Sequence, residues 1–359
     1  VSAARAALAA LIAGIATVGA VPCEAAVRTY YIAADDVLWN FAPSGRDLIA
    51  GTALPPVQAP QLGWSYHKAL YRAYTDGTFR HLKTRGPASA YLGVLGPIIR
   101  AEVGDTIVVV FKNNTRLHLS VYPGGVEYGK ASEGAPYSDR APRSDKRGGA
   151  VAPGSTYTYT WMVPERSGPG PMDPSSIVWM YYSHTDDVRD LNTGPVGPII
   201  ITRRGMARSD GSPKDVDAEF VTMFSEIDES QSRLVSENLA GASTNPHHVS
   251  ASAPQFQGAN QFFTINGFLF GNLPMLTMTK GQRVRWYLMT TMSDFDFHFP
   301  TWHGQTVLAN GQRSNTLPLG PGDTRVADMV PENPGVWMLN CDLDIHFDAG
   351  MTGRFTVQP

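Results

Sequence analysis

The chain has 359 residues, a formal net charge of −3 at neutral pH, 17% charged residues and two cysteines. That length accommodates two domains, each able to bury a full core. Near-neutral charge without a dense Lys/Arg patch argues against a nucleic-acid surface, and 35 Gly and 27 Pro among many Val, Thr, Tyr and Trp residues argue against long helices and for an all-β chain.

Residues 1–26 read as a secretory leader, in which Arg5 precedes the apolar stretch Leu8 to Ala20 and small residues follow at Ala25 and Ala26. Its removal takes Cys23 with it and leaves Cys341 as the single thiol of the mature chain. A lone thiol in an exported protein cannot build an internal disulfide framework, so it calls for another role. No stop-transfer helix follows, so the expectation is a secreted or cell-surface protein without a membrane span.

Beyond the leader the chain repeats. Val103-Gly104-Asp105-Thr106 leads into the apolar run Ile107 to Phe111, as Lys280-Gly281-Gln282-Arg283 leads into Val284 to Leu288. Pro153-Gly154-Ser155-Thr156 precedes the alternating Tyr157, Tyr159 and Trp161, as Pro321-Gly322-Asp323-Thr324 precedes Val326, Asp328 and Val330. Val178-Trp179-Met180-Tyr181-Tyr182-Ser183 parallels Val336-Trp337-Met338-Leu339-Asn340-Cys341. Turns feeding alternating strands, three times in the same order, predict two copies of one β-sandwich, at 27–204 and 205–359.

Near the C-terminus Cys341, His346 and Met351 form a Cys-x4-His-x4-Met run. Thiolate, imidazole and a weak thioether are what a thiolate-bound copper takes, with one more histidine completing a His2Cys set. The internal alignment sets Ser183 against Cys341, Leu119 against His298 and Gly124 against His303, so the second copy alone keeps the chemistry. His298 is the expected missing ligand and His303 its competitor. Phe297, Phe299, Trp302 and Phe347 are expected to keep water from the site, and Asp342, Asp344 and Asp348 form an acidic rim. Asn113-Asn114-Thr115 is a glycosylation acceptor pattern.

Tyr30-Tyr31-Ile32-Ala33-Ala34 with Val37-Leu38-Trp39, Glu219 to Phe224, Ile265-Asn266-Gly267, Trp286 to Met289, His303-Gly304-Gln305 and Pro334 to Leu339 resemble the multicopper oxidase superfamily, in its ceruloplasmin- and hephaestin-like ferroxidases. The resemblance covers residues 28 to 357. It implies two tandem cupredoxin-type Greek-key β-sandwich domains, with one type 1 copper in the second on His298, Cys341, His346 and Met351.

Departures from the family pattern restrict the implied chemistry. Family members that reduce dioxygen flank the copper cysteine with histidines that reach a trinuclear copper cluster; here Asn340 and Asp342 stand there. The other cluster positions fall on Tyr122, Gly124, Tyr182 and His184, so of the ordinary ligands only His184 and His303 survive. The family's iron-site positions correspond to Asp294, Gly258, Phe263 and Ile345, and its calcium-binding aspartates to Gly148 and Gly149. The resemblance therefore implies an electron-transfer unit of a ferroxidase system, taking electrons from ferrous iron or another one-electron donor. Further cupredoxin domains, or a partner oxidase or permease, would complete it. The alternatives are a free-standing electron carrier and a degenerate interaction module.

Overall fold

The computed structural model describes residues 25–242, 250–292 and 297–359, so most of the expected leader, with Cys23, and also Asp294 lie outside the described residues. Alternation is what makes the strands: in Thr106–Asn113 every second side chain, from Ile107 to Asn113, is buried. That is the two-residue repeat of a pleated ribbon with one face on a core.

Residues 27–202 carry two four-stranded sheets. The first orders Ser65–Ala73, Val27–Asn40, Thr106–Asn113 and Thr156–Met162; the second orders Ile99–Glu102, Val196–Thr202, Ser176–Tyr182 and Tyr122–Pro123. Residues 218–358 repeat the plan. Gln261–Ile265, Ala218–Asp228, Val284–Thr290 and Thr324–Met329 lie side by side, extended by Val307–Ala309 and Gln312–Ser314. Opposite them, Leu276–Thr279, Thr352–Gln358, Gly335–Cys341 and Pro300–Trp302 form the second sheet. Pairing directions repeat as well: Val27–Asn40 runs parallel to Thr106–Asn113, and Ala218–Asp228 parallel to Val284–Thr290. The chain is an all-β protein of two tandem sandwiches.

One glycine pair shows how deep the repetition goes. Gly125 and Gly304 have φ of +73° and +66°, and a Cβ at either would strike the indole of Trp179 or Trp337, at 2.1 and 2.6 Å. Each turn is pressed against the tryptophan of its own Val-Trp-Met strand, and a side chain fits at neither position.

The halves share buried surface. Val284–Thr290 is buried along its whole length, in contrast to the alternating Thr106–Asn113. Buried Tyr91, Leu92, Val94 and Val196 of the first half join Phe220, Val221, Trp286 and Tyr287 of the second in one apolar cluster. Polar contacts also cross this seam: Trp39 Nε1 donates to the Gly267 carbonyl at 2.7 Å, and Asn266 Nδ2 to that of Tyr91 at 2.8 Å. Arg285, 2% exposed, is neutralised by Asp328 at 2.7 Å and Asp215 at 3.2 Å, the pairing that a buried charge requires. Lys68 reaches Glu229 at 2.6 Å, both side chains buried.

The structure bears on the acceptor pattern at Asn113. It is fully buried, and its Nδ2 donates to the carbonyls of Leu117 and Val151 at 2.6 and 2.8 Å. An amide so enclosed cannot carry a glycan in the folded protein.

Candidate metal centre

Strand register gathers the ligand candidates. Gly335–Cys341 pairs antiparallel with Pro300–Trp302, which sets Pro300 opposite Cys341 and brings His298, two residues earlier, to the same end of the sheet. His298 is pinned there by two backbone hydrogen bonds with Leu319, each 2.9 Å. On the other side Thr352–Gln358 pairs with the cysteine strand, Asn340 opposite Thr352, and Cys341 N–H donates to the Met351 carbonyl at 3.1 Å. Between them the short helix Asp344–Asp348 carries His346, whose carbonyl accepts from Met351 N–H at 2.9 Å. All four side chains come from one sheet end and the loop that closes it.

The geometry is compact and dry. The ligand atoms of His298, Cys341 and His346 lie within 4.8 Å of one another, and among the described residues this is the one such group of three His, Cys, Asp or Glu. Cys341 Sγ is 3.4 Å from His346 Nδ1, and the imidazole centroids are 5.1 Å apart. His298, Cys341 and Met351 are fully buried and His346 is 1% exposed. Burial works to raise the Cys341 pKa, but hydrogen bonds from His298 and His346 and from the N–H groups of Phe299 and Leu343 outweigh it and lower the thiol to about 6. The thiolate, the form that binds metal, is thus favoured at neutral pH. Two imidazoles, a thiolate and a thioether in a water-excluding pocket fit a copper ion.

His303 is not part of this group. It is exposed, its N–H donates to the Met338 carbonyl at 3.0 Å, and it lines a separate cavity of about 560 Å³ with Arg313, Glu332 and Asp342. The strand turns it away, since its offset of five from His298 across Pro300–Trp302 is odd and successive side chains alternate between faces. His184, in the first half, stacks on Tyr182 with ring centroids 5.9 Å apart and lies 3.6 Å from Asp187.

The aromatic shell differs from the expected one. Trp302 is fully buried and packs edge-on against Trp286, with centroids 5.5 Å apart, whereas Phe297 and Phe347 are 52% and 37% exposed. Water is kept out instead by Phe263, stacked on His346 at 4.4 Å and 22°, and by Phe224, 6.3 Å from His298. Both stand on neighbouring strands whose chain distance from Cys341 hides the contact; the alternating pattern of Gln261–Ile265 marks Phe263 only as a strand residue. Of the four iron-site positions, Phe263 covers the imidazole, Ile345 is 67% exposed and apolar, Gly258 sits in the helix Pro254–Ala259, and Asp294 lies outside the described residues. Asp342, Asp344 and Asp348 are exposed, as an acidic rim requires.

Comparison with known proteins agrees. Residues 92–205 and 243–359 each match a multicopper oxidase family profile. The chain is 39% identical over 341 residues to ceruloplasmin of Mus musculus, covering 92% of this chain and 32% of that protein. Against ferroxidase HEPHL1 of Mus musculus identity is 39% over 343 residues, covering 93% and 29%. Against hephaestin of Rattus norvegicus it is 35% over 347 residues, covering 94% and 30%. The chain therefore spans about a third of the length of these curated relatives. Among solved structures, a multicopper oxidase superposes with a TM-score of 0.59 at 16% identity, covering 92% of this chain and 89% of that one. A blue copper oxidase from Nitrosomonas europaea gives 0.57 at 18%, covering 92% and 86%. At such identities the likeness is one of fold. Profiles, relatives and fold together make this chain a member of the multicopper oxidase superfamily, of its ceruloplasmin- and hephaestin-like kind.

Proposed function

We propose that this chain is a ceruloplasmin-like unit whose second half holds one type 1 copper on His298, Cys341, His346 and Met351 and passes single electrons within a secreted or cell-surface ferroxidase system. The observation that carries the reading is the convergence of three buried ligand atoms within 4.8 Å, with Met351 bonded through its backbone to Cys341 and His346. A copper ion bound there supplies a one-electron couple.

The chain's own residues do the rest. The backbone bonds joining Cys341, Met351 and His346 hold the donors in one arrangement whichever charge the site carries, which keeps reorganisation small. Phe299 N–H donates to Cys341 Sγ at 3.2 Å and draws electron density from the sulfur, favouring the reduced state. Phe263 and Phe224 exclude water, which favours the less charged state in the same direction.

The absent histidines set the limits. Neither Asn340 nor Asp342, beside Cys341, offers an imidazole, and Tyr122, Gly124 and Tyr182 occupy three other cluster positions. Electrons leaving this copper thus need further cupredoxin domains or a separate acceptor, which suits a chain that spans a third of its relatives. The exposed Asp344 and Asp348 suit a cationic donor such as ferrous iron. Anaerobic mixing of copper-loaded protein with ferrous iron tests this: the visible absorption should bleach by one electron per chain, and with air admitted oxygen uptake should stay at the autoxidation rate of iron. Sustained oxygen consumption above that rate would contradict the electron-transfer reading.

A further inference from the structure

Beside the seam between the halves, and separate from the copper ligands, the first half forms an open cavity of about 570 Å³. Val37, Trp39, Leu82, Val94 and Ile98 contribute its apolar lining, and its charged lining is Arg72, Lys83 and Arg85, without an Asp or Glu. Among the described residues the one ion pair of these three cations is from Arg72 to Asp35, at 3.7 Å.

Arg85 is fixed in place without being neutralised. Its Nη1 donates to the Gly93 carbonyl at 2.6 Å and its Nη2 to the Leu95 carbonyl. Two carbonyls orient a guanidinium but leave its charge unpaired. Desolvation of its inner face pulls its pKa below the usual guanidinium value, and Arg72 adds to that pull, while the rest of the side chain stays exposed. The loop that supplies these carbonyls is itself anchored: Val94 N–H donates to the Asn266 carbonyl of the second half at 3.1 Å. Arg85 is therefore held against a braced wall and not by a loose loop.

A concave site of several hundred Å³ with a largely apolar lining and a few convergent polar groups is the usual form of a small-molecule site. Convergent cations select an anionic head, and the planar fork of a guanidinium matches a carboxylate. We propose that this cavity binds a small amphipathic carboxylate, with its hydrocarbon part against Val37, Trp39 and Ile98 and its carboxylate facing Lys83 and Arg85.

Calorimetric titration of the copper-loaded chain with octanoate, 1-octanol and octylamine tests the proposal. Octanoate should bind at one site per chain, with 1-octanol at least tenfold weaker and octylamine giving no heat. Lys83→Glu should weaken octanoate at least tenfold and Lys83→Met several-fold, each with the thermal unfolding midpoint of the parent, because Lys83 is an exposed side chain. Octanoate and 1-octanol binding equally, octanoate binding unchanged in Lys83→Glu, or no heat with octanoate would each overturn it.

Discussion

Ser183 and Cys341 stand at the ends of equivalent strands in the two halves, yet one joins a polar knot and the other faces two imidazoles. Ser183 Oγ donates to Asp190 Oδ2 at 2.6 Å; the same oxygen accepts from the N–H groups of Thr185 and Asp186, and Asp190 Oδ1 accepts from Arg233 at 2.7 Å. Every polar group there is spoken for by the protein, as buried groups normally are. In the second half the thiol faces His298 and His346. The scaffold is otherwise shared. Leu119 exchanges two backbone bonds with Val151 as His298 does with Leu319. The backbone frame is thus common to both halves, and a buried aspartate stands against Ser183 where two imidazoles stand against Cys341.

Substitutions on either side put that contrast to the test. Cys341→Ser should abolish the visible absorption of the copper-loaded protein while its far-ultraviolet circular dichroism stays that of the parent; residual colour would move the thiolate elsewhere. Asp190→Ala should leave Arg233 without its partner and cost about 3–5 kcal/mol in a urea melt. It should leave the copper spectrum intact. A loss under about 1 kcal/mol would show that the knot is not what holds the first half closed. Ser183→Cys, made in the Cys341→Ser background, should remain colourless after copper loading, because Leu119 supplies no imidazole there; a blue variant would contradict the pairing of Leu119 with His298.

A smaller effect concerns the seam. Burial pushes Glu229 up to about 7, from an ordinary value near 4.5, despite the Lys68 ammonium beside it. A folded pKa above the unfolded one contributes stability that is fully present below 4.5 and lost as pH rises through about 7. Glu229→Gln should therefore flatten stability against pH across that window, read by urea midpoints. Smallest of all, Phe263→Leu should lower the copper potential modestly by admitting water to His346, checked by redox titration.

Chain distance decides how much of the fold and of the site is legible in the sequence. Cys341, His346 and Met351 declare themselves because one loop holds them, and the duplicated strands are visible because turn glycines and Val-Trp-Met recur in order. The choice between His298 and His303 needs strand register, which sets His298 beside Cys341 and turns His303 outward. Phe263 over His346, and Arg233 reaching Asp190 across 43 residues, are contacts between strands and loops far apart in the chain. No local periodicity encodes such contacts. Asn113 misleads for the converse reason: its tripeptide is local, while its burial comes from the loop that wraps it.

Titrating the metal-free chain with copper while monitoring visible absorption decides whether the second half holds a single type 1 site. One equivalent should bind, with intense blue absorption saturating at that equivalent. Copper bound without colour, or colour still growing at a second equivalent, would contradict a single type 1 site on His298, Cys341, His346 and Met351.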